Sequence, residues 1–68
     1  MRFTERFNEA LNASPLAQRE IAERLGVNPS FISQMKKGKN LPNITMLYNI
    51  CRILDVSADY LLGLTDNY

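Results

Sequence analysis

The 68-residue chain has no histidine and one cysteine, Cys51. Without histidine there is no His-based acid–base site and no His-containing metal site. A single thiol excludes an intrachain disulfide and gives no sign of an oxidising compartment. No apolar run approaches the roughly 18 residues that span a bilayer. The N-terminus, MRFTERFNEAL, is amphipathic and charged where a signal peptide would be apolar. Clustered carboxylates are missing too: Glu5, Glu9, Glu20 and Glu23 fall at helical spacing on faces expected to meet water. These absences argue against an enzyme, a metal, a cofactor, a membrane partner or a small-molecule substrate. They make a soluble cytoplasmic protein the expectation.

Acidic residues are absent from one long stretch as well. Between Arg24 and Arg52 the only charged residues are Lys36, Lys37 and Lys39. The acids lie outside, at Glu5, Glu9, Glu20 and Glu23 on one side and Asp55, Asp59 and Asp66 on the other. The net charge of +1 therefore conceals a basic middle. A chain of 68 residues has room for one domain, 1–68, with a small core and modest stability unless subunits associate. Its 46% apolar content argues for a folded globule.

Helical periodicity dominates. Phe3, Phe7, Ala10 and Leu11 predict a first helix over 3–13. A second begins near Pro15 or Gln18 and runs to Leu25, where Gly26 enters the left-handed region at no steric cost. Asn28 is a cap and Pro29 a first helical residue for a third helix reaching about Lys37, closed by Gly38. Asn43 caps a fourth over 44–54, whose apolar stripe is Ile44, Leu47, Ile50, Cys51 and Leu54. Cys51 in that stripe reads as a small buried apolar group. Ser57 caps a short fifth helix over 58–62, ended by Gly63, with Asp59 near its positive end. No strand signal is present, so the expected fold is all-α with five helices.

Residues 18–37, QREIAERLGVNPSFISQMKK, are the most specific segment. Ala22 stands where two helices cross closely, Gly26 makes the turn, and Ile21, Leu25, Val27, Ile32 and Met35 face inward. This is a helix-turn-helix pattern, a unit that places its second helix in the DNA major groove. Counted from Ile32 and Met35, the residues Pro29, Ser30, Ser33, Gln34 and Lys37 point outward. Gln34 carries both a donor and an acceptor and suits a bidentate pair with adenine. Asn28 reads first as a cap.

The segment AQREIAERLGVNPSFISQMKKGKNLPN and the closing LDVSADYLLGLTD resemble the phage-repressor-like (Cro and Xre type) helix-turn-helix regulators over almost the whole chain. The resemblance implies a compact five-helix lambda-repressor-like DNA-binding domain, working as a homodimer on inverted-repeat operators in double-stranded DNA. It implies base contacts from Asn28, Pro29, Ser30, Ser33 and Gln34. It implies phosphate contacts from Gln18, Lys36, Lys37, Lys39 and Asn40. The family often pairs an Arg late in the first helix with a Glu two residues before the loop glycine; here those positions are Leu11 and Lys36. Both partners are replaced together, so no lone buried charge remains. Pro29 offers no amide proton, so its contact is apolar, for instance with a thymine methyl.

Phe31 stands where small hydroxyl residues are usual. It has three readings: partial burial, contact with thymine methyls or sugars, or a sticky spot for another protein. Tyr60, Leu61, Leu64 and Tyr68 form an apolar end that covers the core or meets a second subunit. Two functions follow from these readings. One is a small sequence-specific transcriptional regulator, Cro-like or prophage-repressor-like. The other is an anti-repressor or modulator that grips another repressor protein, favoured by the low net charge and by Pro29 and Phe31.

Overall fold

The computed structural model describes residues 1–67 and contains five helices. They are α1 (Phe3–Ala13), α2 (Gln18–Leu25), α3 (Pro29–Lys36), α4 (Ile44–Leu54) and α5 (Ala58–Leu62). Three begin on the caps their sequences offer. Asn28 Oδ1 accepts from the Ser30 amide at 3.0 Å, Asn43 Oδ1 from Met46 at 2.7 Å, and Ser57 Oγ from Tyr60 at 3.0 Å. Each bond satisfies one amide that the first helical turn leaves unpaired. The other two starts, after Arg2 and Ala17, have no side-chain cap. The third helix ends at Lys36, with Lys37 as its cap and Gly38 at φ +78°.

Gly26 closes α2 at φ +73°. The Val27 amide donates to the Ala22 carbonyl at 3.0 Å, and the Gly26 amide to Glu23 at 3.1 Å. This wraps the orphan carbonyls of the last turn and aims the chain into α3. Nothing lies within 4 Å of where a Cβ at Gly26 would stand. Gly26→Ala should therefore cost the left-handed backbone penalty alone, about 1–2 kcal/mol. Urea denaturation checks this; an unchanged midpoint would show that the turn relaxes elsewhere.

The five helices pack as a ring: α1 on α3, α3 on α2, α2 on α4, α4 on α5 and α5 on α1. Phe7, Ile21, Ile32, Met35, Ile50 and Leu61 fill the centre and are fully buried. Phe3 stacks on Phe7 with ring centroids 5.2 Å apart. Ala22 is buried, and Leu11, Leu16, Val27, Phe31, Met46, Leu47, Cys51 and Ile53 pack around the edge, partly covered.

Several expectations are corrected. Ile44 does not join the α4 core stripe but is 86% exposed. It is the first residue of its helix and is exposed with Tyr48 one turn later, while Met46 and Leu47 of the same turn pack against the core. Arg52 donates to the Tyr48 hydroxyl at 3.1 Å and lies over its ring. Tyr60 and Leu61 are buried inside the domain, so neither presents a face to a second subunit. Leu64 is 74% exposed; Tyr68 lies outside the described residues.

Burial of Tyr60 has a charged partner. Arg6 on α1 is 5% exposed, and its guanidinium carbon stands 4.4 Å from the centre of the Tyr60 ring. Arg6 donates to Asp66 Oδ1 at 2.8 Å and to the Thr65 carbonyl at 3.2 Å. Its hydrogen bond to Asp66 raises the guanidinium above its usual pKa. The Tyr60 hydroxyl donates to Glu9 Oε2 at 2.6 Å, so Glu9 is not simply a solvent-facing acid. Together these bonds tie the segment after α5 onto α1.

Candidate nucleic-acid interface

One face of the ring collects the outward side of α3, the start of α2 and the loop after α3. Inward-facing Ile32 and Met35 are completely buried. That anchoring leaves Pro29, Ser30, Gln34 and Lys37 exposed along the outside of the helix. A rigid helix with a solvated polar face is what a groove reader requires.

Gln34 is held by the loop: its Oε1 accepts from Asn40 Nδ2. A carbonyl oxygen has two lone pairs, so Gln34 Oε1 keeps one open beside its own amide hydrogens. Asn40 was expected on a phosphate; here it orients the Gln34 amide. Asn28 is engaged as the α3 cap through its Oδ1.

Ser33 was expected at a base, but it is half-buried and faces α2. Gln18 Nε2 donates to Ser33 Oγ at 3.5 Å, the outer limit of such a bond. Gln18 Oε1 accepts from Lys36 Nζ at 3.2 Å. The structure therefore brings Gln18, Ser33 and Lys36 together. Phe31 takes the first of its three readings, half-buried against the core.

The basic middle is narrower than its composition implies. Arg24 pairs with Glu20 at 3.1 Å, one helical turn away, and Arg52 is engaged with Tyr48. Lys36, Lys37 and Lys39 enter no ion pair among the described residues. Three uncompensated ammonium groups near the end of one exposed helix form the electrostatic footprint of a polyanion.

A helix-turn-helix family model matches residues 9–61, most of the chain. The chain belongs to the helix-turn-helix family. It is 31% identical over 65 residues to the uncharacterized HTH-type transcriptional regulator YobD of Bacillus subtilis (strain 168), covering 96% of this chain and 58% of that protein. It is 35% identical over 60 residues to the uncharacterized HTH-type transcriptional regulator YqaE of the same organism, covering 88% of this chain and 52% of YqaE. The HTH-type transcriptional activator BcrR of Enterococcus faecalis is 34% identical over 63 residues, 93% of this chain and 31% of BcrR. The chain thus spans between about a third and three-fifths of the length of these relatives. No solved structure matches it.

Within this helix-turn-helix domain, two contributors escaped the sequence reading. Asn8 on α1 donates to the Thr4 carbonyl at 2.8 Å and to the Lys36 carbonyl at 3.0 Å, pinning the end of α3. Its only sequence signal is a polar residue directly beside the apolar stripe. The Asn40–Gln34 bond spans a loop and has no periodic signal at all. Partial burial raises the Cys51 thiol above its ordinary pKa. Among the described residues no helix is long and apolar enough to cross a membrane. No group of three His, Cys, Asp or Glu side chains is placed to hold a metal.

Proposed function

We propose that the chain binds double-stranded DNA in a sequence-specific manner as a small transcriptional regulator of the Cro and repressor kind. Helix α3 lies in the major groove. Gln34 and the exposed first turn, Pro29 and Ser30, meet base edges, and Lys36, Lys37 and Lys39 hold phosphates. The observation that carries this reading is the outward face of α3, with Gln34 already oriented by Asn40 while Ile32 and Met35 lock the helix to the core.

Two copies bind an inverted repeat. The domain measures 29 × 24 × 21 Å, so neighbouring copies can present α3 to successive major-groove turns about 34 Å apart. Of the apolar C-terminal set, exposed Leu64 remains free to meet a second copy. The rival, capture of another repressor through α3, has weaker support. Its apolar anchor, Phe31, is turned toward the core. Regulation then follows from occupancy of a site near a promoter.

Selection of duplexes from a random pool at near-physiological salt tests this directly. The expected product is an inverted repeat whose half-sites share one orientation and spacing. Gln34→Ala should relax the preference at one base position per half-site, worth about 1–3 kcal/mol there. Lys37→Met should weaken every sequence alike. Failure of any sequence to be enriched, or a Gln34→Ala variant with an unaltered preference, would overturn the assignment of the reading face.

A further inference from the structure

We infer that a second copy of this chain docks on the edge formed by the loop after α3 and the outer face of α4, with Leu41, Ile44 and Tyr48 at its centre. The inference rests on the proposed function only for the inverted repeat; the contact itself is tested without DNA. The C-terminal set expected to pair copies is largely used up, because Tyr60 and Leu61 are buried inside the domain. The large apolar side chains exposed among the described residues are Met1, Leu41, Ile44, Tyr48 and Leu64. Four of them follow one another along a single edge. Met1 and Leu41 line the same cleft, Leu41 precedes α4 by a short loop, and Tyr48 stands one helical turn after Ile44. Apolar side chains scattered singly over a surface carry no message, but a contiguous row marks a contact.

Charge selects the occupant. Residues 40–51 carry no charged side chain. The charged groups that flank the apolar row are engaged: Arg2 pairs with Glu5 at 2.8 Å, and the Arg52 guanidinium stands 5.7 Å from the centre of the Tyr48 ring. A two-fold contact sets a patch against its own copy, so any net charge on it would face the same charge. A strongly acidic or basic partner finds no counter-charge here, whereas a neutral apolar edge complements an identical one. Position agrees with charge. Asn40, next to Leu41, bonds to Gln34 on α3, so the loop joins this edge to the reading helix. Two copies joined at Leu41 and Ile44 therefore carry their α3 helices on either side of the axis, as an inverted repeat requires. Area sets the strength. A standard stable interface takes about 800 Å² from each partner. That would be close to a fifth of the 4380 Å² this domain exposes, more than a row of four side chains supplies. The copies are consequently separate in dilute solution and pair when neighbouring half-sites hold them together.

The test uses the full chain, a selected inverted-repeat duplex and a duplex carrying a single half-site. The wild type should bind the repeat roughly a hundredfold more tightly than the half-site, because the first copy holds the second at high local concentration. Ile44→Lys sets like charges across the axis, while an added cation does not weaken contact with phosphates. This variant should keep its half-site affinity and lose the advantage of the repeat, and Tyr48→Lys should do the same. Ile44 has little buried surface to lose, so the fold should survive the change. A second measurement needs no DNA. In a Cys51→Ala background at high protein concentration, a mild oxidant should join two Ile44→Cys chains by a disulfide. Glu23→Cys, exposed on α2, should stay unlinked under the same conditions. No advantage of the repeat in the wild type, or its survival in Ile44→Lys, would overturn the docking edge and leave DNA binding standing. Equal linking from positions 44 and 23 would do the same. Pairing lost in Leu64→Lys alone would move the contact to the segment after α5 and overturn it too. A chain that enriches no duplex yet links through position 44 would retire the DNA reading and keep the edge.

Discussion

Affinity for the selected duplex falls nearly two-thousandfold between 50 and 200 mM salt if two copies bind, and about fortyfold if one does. Each phosphate neutralised by a lysine releases condensed counterions, and log affinity falls with log salt at about −0.9 per contact. Lys36, Lys37 and Lys39, on α3 and in the loop after it, enter no ion pair among the described residues. Three contacts give a slope near −2.7, and six from a symmetric pair give about −5.4. Arg24 adds nothing because Glu20 already holds it. Anisotropy titrations at four or five salt concentrations therefore report stoichiometry as well as mechanism. A slope near zero would mean that the lysines do not meet phosphates, whatever else the protein binds.

Phe7→Ala leaves the domain largely unfolded. Phe7 has no exposed surface, sits at the meeting of α1 with α3 and α5, and stacks on Phe3. Truncating a buried Phe to Ala costs about 3–5 kcal/mol, partly from lost transfer energy and partly from the cavity left behind. A 68-residue domain has total stability on the order of 3–10 kcal/mol, so the loss removes much or all of it. Half-buried Phe31 has less to lose, and Phe31→Ala should retain cooperative unfolding. Urea denaturation followed by circular dichroism compares the two. A Phe7→Ala variant with a near wild-type midpoint would show that the core collapses around the gap, contrary to a close-packed ring.

Which parts of this molecule are legible in its residues follows from the range of the forces involved. Asn28, Asn43 and Ser57 act within three residues of themselves, by accepting from a nearby amide, so the starts of α3, α4 and α5 can be read directly. Ile32 and Met35 mark the inner side of α3 because three residues separate them on a 3.6-residue period. Other features depend on what lies across the fold. Ile44 fits its stripe by spacing, yet it is 86% exposed while Met46 and Leu47 of the same turn pack against the core. Arg6 and Glu9 look like solvent charges until α5 lays Tyr60 between them and the following segment brings Asp66.

The chain alone therefore determined five helices, the starts of α3, α4 and α5, the turn at Gly26 and the inward side of α3, since each depends on steric limits and hydrogen bonds within a few residues. Only the closed ring decided that Tyr60 and Leu61 belong to the core. The ring also turned Ser33 toward Gln18 and left three lysines without a carboxylate partner among the described residues. Those outcomes depend on side chains from different helices sharing the same small volume, and local periodicity carries no information about such encounters.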